Sequence, residues 1–148
     1  MIVFLIRHAD RKPDPEDDLT PAGIVRARLL ERMLAESGVQ AAFCSSAERA
    51  RKTIQPLKDL VRDRLKIVPV CVRSTTHVLQ IVDGVKALPE DAVVAVVGHS
   101  DTVGPIIEGL SGRTIDPIAS HEFDKLFVVS ITSGGVSTVA LTRYGEPT

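Results

Sequence analysis

A chain of 148 residues with 18 Lys+Arg against 19 Asp+Glu, a formal net charge of −1 and 44% hydrophobic residues sits at the globular average, away from disordered, collagenous and coiled-coil compositions. The length suits a single domain built on one hydrophobic core, and the near-neutral balance gives no bulk pull on polyphosphate, so nucleic acid is not an expected partner. Cys44 and Cys71 have no CxxC spacing and no Cys/His cluster around them, so they predict neither a disulfide framework nor a metal site, and both read as reduced, buried thiols.

The opening apolar run, Met1 to Ile6, stops at Arg7, which is too short for a signal-peptide core or a membrane span, and no later apolar stretch approaches the length of a span. A soluble, cytoplasmic protein is expected, without a membrane partner. The first strand is predicted over Ile2 to Ile6. An acidic, turn-rich loop from Asp14 to Asp18 follows, then Thr20 as an N-cap and Pro21 at the first position of a helix. Ile24, Ala27, Leu30 and Leu34 mark one face of that helix, and Gly38 closes it.

Ala41 to Cys44 reads as a short buried strand, after which Ser45 or Ser46 is placed to cap a helix bearing Ala50, Ile54, Leu57 and Val61 on one face, with Pro56 expected to kink or split it. A strand is predicted over Lys66 to Val72 and a helix over Thr75 to Leu88, with Val78, Ile81, Val82 and Val85 as its stripe. Ala92 to Val97 is the strongest strand signal, a continuous apolar run ended by Gly98. A helix then runs from Asp101 or Thr102 to Leu110, with Gly112 beyond it. Leu126 to Ile131 and Val136 to Leu141, joined by Ser133-Gly134-Gly135, predict a hairpin. This alternation is the pattern of an α/β fold with a mostly parallel sheet and an antiparallel strand at one edge.

In open α/β sheets, ligands bind beyond the carboxyl ends of the strands. Arg7-His8 follows the first strand, Ser45 to Arg49 the second, and Gly98-His99-Ser100-Asp101 the most apolar one. Parallel strands bring these ends to one edge, so His8, His99, Arg7 and Arg49 are expected to converge. Guanidinium forks bind phosphate oxygens bidentately and a neutral imidazole nitrogen attacks phosphorus, so this inventory suits a phosphoryl group. No GxxxxGK[ST] or GxGxxG loop is present, so no nucleoside triphosphate or dinucleotide cradle is predicted.

The residues resemble the histidine phosphatase superfamily, the phosphoglycerate mutase-like proteins. Arg7-His8-Ala9-Asp10 is similar to the family's Arg-His-Gly start, and Leu19-Thr20-Pro21-Ala22-Gly23 with Arg26-Ala27 to its "LTxxGxxRA" helix entry. Ser45 to Thr53 resembles its "SSxxRxxxT" segment, Val97 to Ser100 its second-histidine motif, and Glu122 to Val129 the late segment of its short bacterial members. The resemblance implies a three-layer α/β/α sandwich and a metal-independent phosphatase that needs no cofactor. His8 would be the nucleophile that forms a phosphohistidine, with Arg7, Arg49 and His99 holding the phosphoryl oxygens. The size favours the phosphohistidine-phosphatase-like branch, whose substrate would be a phosphorylated small molecule or a phosphohistidine-bearing protein.

One departure stands out. Many members place a carboxylic acid, the proton donor to the leaving group, where this chain reads Val72 to His77, and no carboxylate lies there. Asp101 is one substitute, with helix N-cap as its plain reading. His77 is another, since an ordinary histidine pKa of about 6.5 suits the task, with an exposed surface histidine as the plain reading. Ser45 is a capping residue whose hydroxyl is also placed to touch phosphate. His121 reads as loop-edge, and Asp14, Glu16, Asp17 and Asp18 as a solvated acidic loop, one that would favour a cationic substrate if it overhung the pocket. A phosphoramidate expels imidazole, a better leaving group than an alkoxide, and so tolerates a missing acid. The competing readings are a non-catalytic phosphate-sensing module, favoured by that missing acid, and a phosphoglycerate-mutase-like phosphotransferase.

Overall fold

A computed structural model describes residues 1–148. Six strands, β1 (Ile2–Arg7), β2 (Ala41–Ser45), β3 (Lys66–Val70), β4 (Val93–Gly98), β5 (Lys125–Ile131) and β6 (Ser137–Arg143), form one sheet in the order β3-β2-β4-β1-β5-β6. β3, β2, β4 and β1 are parallel neighbours, whereas β5 pairs antiparallel with β1 and with β6, so the hairpin closes one side of the sheet.

The period-two pattern of the strands assigns their faces. Ala41 and Phe43 of β2, with Val94 and Val96 of β4, pack beneath α3 (His77–Lys86) and α4 (Val103–Ser111). Ala42, Cys44, Ala95 and Val97 face the other way, against α1 (Pro21–Leu34) and α2 (Glu48–Val61). The result is the expected three-layer α/β/α sandwich, with both faces of the parallel strands covered. No helix is long and apolar enough to cross a membrane.

Thr20 caps α1 as predicted, its hydroxyl accepting from the Gly23 N–H at 3.1 Å with Pro21 following. Several other expectations need correction. Ile24 is exposed, and the buried face of α1 is made by Gly23, Arg26, Ala27, Leu30 and Leu34. α2 is not split at Pro56 but continues through it as one helix. Proline takes the N–H partner from the Lys52 carbonyl, but Ile54 and Leu57 on either side are held in the core, and this packing carries the helix across the lost bond. Neither serine caps α2: Ala47 stands at the N-cap without a side-chain bond, and the exposed N–H groups of Glu48 and Arg49 donate to Asp17 instead. Cys44 is buried, but Cys71 lies one residue past the end of β3 and is exposed.

Candidate functional site

The edge where β1, β2 and β4 end is the topological switch point of the sheet: the chain leaves β1 and enters β2, and β4 later fills the gap between them. The ladder there extends one residue beyond the paired ends Arg7 and Gly98, since the His8 N–H donates to the Gly98 carbonyl at 2.9 Å. That bond sets His8 beside His99. Their ring centroids lie 5.2 Å apart in an edge-on arrangement, and both side chains are buried. Gly98 is needed at this turn because a Cβ would stand 2.8 Å from the Thr102 hydroxyl, which itself accepts from the His99 N–H.

Each imidazole has its tautomer chosen by a neighbour. His8 Nδ1 lies 2.9 Å from the Ala9 carbonyl, which can only accept, so Nδ1 carries the proton and Nε2 keeps its lone pair. His99 Nδ1 lies 3.3 Å from Arg49 Nη2, which can only donate, so its proton sits on Nε2 and points to the Ser45 hydroxyl at 2.7 Å. Burial is the largest influence on both rings. It brings His8 down to about 3 and His99 to about 4, and the charges of Arg7 and Arg49 push both the same way.

The two guanidinium groups are held differently. Arg7 Nη1 donates to the carbonyls of Ala119, Ser120 and Glu122 at 3.1, 2.8 and 2.9 Å, and its plane lies 4.0 Å over the Phe123 ring. Arg49 reaches from the first turn of α2, with Nη1 donating to Asp17 at 2.7 Å and Nη2 directed at His99. The Nε of each is buried without a partner. Thr53, one helical turn after Arg49, ties the parts together: its hydroxyl accepts from the Ala9 N–H at 2.9 Å and donates to the Arg49 carbonyl at 2.8 Å.

His77 is a correction to the reading of a surface side chain. As the first residue of α3 it is buried, with Nδ1 donating to the Cys71 carbonyl at 3.0 Å and Nε2 left without a partner. Asp101 is exposed and is not the N-cap of α4, a position taken by Thr102. With Ser100, Glu108 and Asp116 it lines a cleft of about 300 Å³ beside His99. The Ser45 hydroxyl is occupied by His99 and by the Ala47 N–H, and His121 stands exposed in its loop.

Sequence reasoning missed three contributors to this edge. Asp17 read as one of four solvated acids, and nothing in the chain marks it as the partner of Arg49 and the cap of α2. Phe123 falls within Glu122 to Val129, where the family resemblance gives it no role. Thr53 was quoted with Arg49, and their spacing of one helical turn was the available sign that they act on one spot.

The sandwich with this strand order is the phosphoglycerate mutase-like fold. Residues 3–70 match the family model described as Histidine phosphatase superfamily (branch 1). It superposes on the protein histidine phosphatase SixA complexed with tungstate with a TM-score of 0.74 at 21% identity, covering 97% of each chain. The alpha-ribazole phosphatase of Shigella flexneri gives a TM-score of 0.69 at 16% identity, over 97% of this chain and 96% of that one. At these identities the likeness speaks for the fold. A Schizosaccharomyces pombe protein named as a probable phosphatase is 25% identical over 99% of this chain and 74% of its own length.

Proposed function

We propose that the chain hydrolyses a phosphohistidine, carried by a protein or by a small molecule, or a small phosphomonoester, through a phosphohistidine formed on His8. The observation that carries this reading is the state of His8: buried, neutral, with Nδ1 tied to its own backbone and a free lone pair on Nε2 beside two arginines. In the first step that lone pair forms a bond to phosphorus as the bond to the leaving group breaks in line, and the leaving group departs with its electron pair and takes up a proton. In the second, water attacks the phosphohistidine, inorganic phosphate leaves, and His8 is regenerated.

The guanidinium groups of Arg7 and Arg49, whose charges both act on His8 and His99, are the donors available to phosphoryl oxygens. Their fixed charges act where negative charge sits in the transition state and supply the neutralisation a metal would otherwise give. A dianionic phosphoryl group brought against His99 favours its protonated form, making it a second donor to oxygen, while Ser45 holds its ring. His77 and Asp101 are the groups near His99 available to the leaving group. The exposed position of Asp101 at the cleft suits proton delivery, and the free lone pair of His77 Nε2 suits an acceptor role.

The test is acid-labile labelling. Incubation with a labelled phosphodonor in EDTA is expected to give a phosphohistidine at His8, chased by water and blocked by vanadate. Turnover that depends on added metal, or label on another residue, overturns the reading.

A further inference from the structure

We infer that Asp17 sets the charge of the compounds this pocket accepts, favouring phosphoryl compounds whose leaving group is neutral or cationic over those with a second anionic group near phosphorus. The inference rests on the phosphoryl pocket proposed above. In-line attack from His8 on the floor sends the leaving group out through the mouth, since the entering and departing atoms lie on opposite sides of phosphorus. Asp17 stands at that mouth. Its Oδ1 accepts from the Arg49 N–H at 3.1 Å and from Arg49 Nη1 at 2.7 Å, and its Oδ2 accepts from the Glu48 N–H at 2.8 Å. The carboxylate is 42% exposed, so a departing group passes close to it.

The cations on its own loop and on the first turns of α2 are already paired. Arg11 is paired with Asp14, Lys12 with Glu16 and Asp18, Lys52 with Asp18, and Arg51 with Glu48. A second anionic group on this side of the rim finds these cations already paired and meets the fixed charge of Asp17, while an ammonium, imidazolium or guanidinium meets a carboxylate already in place. Partial burial acts to raise the Asp17 carboxyl. The bonds from Arg49 and from the two backbone N–H groups outweigh it and hold the group at about 2, so the charge is present at neutral pH. The loop itself is set in position: the Lys12 N–H donates to the Asp18 carbonyl at 2.9 Å, and Asp18 is clamped between Lys12 and Lys52.

Two non-hydrolysable ligands of matched length separate the effect from turnover: 3-phosphonopropionate, with a terminal carboxylate, and 2-aminoethylphosphonate, with a terminal ammonium. Calorimetric titration of the whole chain is expected to show the ammonium compound binding more tightly. In Asp17→Asn, which keeps an oxygen to cap α2, the ratio of the two dissociation constants should shift by about tenfold towards the carboxylate compound, the scale of one charge–charge interaction near a protein surface. In the unaltered protein the same preference should shrink as salt is raised, a measurement that needs no folded variant. An unchanged ratio in D17N, equal tightening of both ligands, or a preference insensitive to salt overturns the role of Asp17 and leaves the phosphoryl pocket standing. Failure of both ligands to bind overturns the pocket, and the inference with it.

Discussion

Arg7, His8 and His99, on the floor of the pocket, are more than nine-tenths buried and are held by carbonyls and a hydroxyl, whereas Asp17, Asp18, Lys12 and Lys52, on its rim, are partly exposed and are held by one another's charge. The difference decides what governs protonation. On the floor, burial penalises the charged form and leaves both imidazoles neutral. On the rim, hydrogen bonds and opposite charges hold the Asp17 and Asp18 carboxyls below their usual range. A neutral nucleophile and a fixed rim charge are therefore obtained by opposite means, and only the second is readily screened by salt. Arg49 belongs to both regions, with one η nitrogen on Asp17 and the other on His99.

The comparison breaks first at His8. Replacing it with Ala removes the lone pair that attacks phosphorus, and kcat is expected to fall by at least about a thousandfold, the scale seen when a nucleophile is removed from a preorganised site. Steady-state turnover within tenfold of the unaltered protein would show that the floor is a binding surface and that the chemistry lies elsewhere.

A second way to separate floor from rim is the pH dependence of the melting temperature. His8 and His99 are held below the ordinary histidine value of 6.5, at about 3 and about 4. As pH falls below 6.5 the unfolded chain takes up protons there that the folded chain refuses, so stability drops through this window. The Asp17 carboxyl is shifted from 3.8 to about 2, so the stability it contributes is present above 3.8 and is lost as pH falls towards 2. The upper window thus reports the floor, and the rim contributes to the lower one together with Glu122 and Asp124. His8→Ala and His99→Asn are each expected to flatten the decline between pH 6.5 and about 4.5, and Asp17→Asn to leave that part of the curve alone. Unchanged slopes in both histidine variants would mean that burial does not control those rings.

How much of this was legible in the sequence follows the same division. Strand period, the caps at Thr20 and Pro21, and the placement of Arg7-His8, Arg49 and His99 just after strands were readable, because each is local and repeats a rule of backbone geometry. The mostly parallel α/β sheet and the meeting of the two histidines followed from them, and the three-layer sandwich from the family resemblance. The unbroken passage of α2 through Pro56 was not readable, since it depends on Ile54 and Leu57 being anchored by residues far away in the chain. The burial of His77 and the exposure of Cys71 depend on where β3 stops, and the strand ends two residues earlier than the apolar run suggests. Asp17 is the sharpest case. Four acids in a turn-rich loop look alike in one dimension, and only the folded loop shows which one faces Arg49.

Smaller effects test how the two regions are joined. Thr53→Val keeps the volume of a buried side chain and deletes its hydroxyl, leaving the Ala9 N–H without a partner beside the nucleophile. A buried donor left unpaired costs about 1–3 kcal/mol, so the melting temperature should fall and kcat should drop more than KM rises, because the His8 turn loosens while Arg49 still meets the ligand. Asp18→Asn should do least. The carboxylate is shared by Lys12 and Lys52, both of which stay solvated when it is neutralised, so no buried group is stranded and the two lysines simply regain water. Melting temperature and kcat for a small phosphoryl substrate are expected to stay within measurement error of the unaltered protein. A large loss in this variant would show that the rim's exposed pairs hold the pocket together, and the contrast between a floor set by burial and a rim set by charge would fail at the point where it predicts the smallest effect.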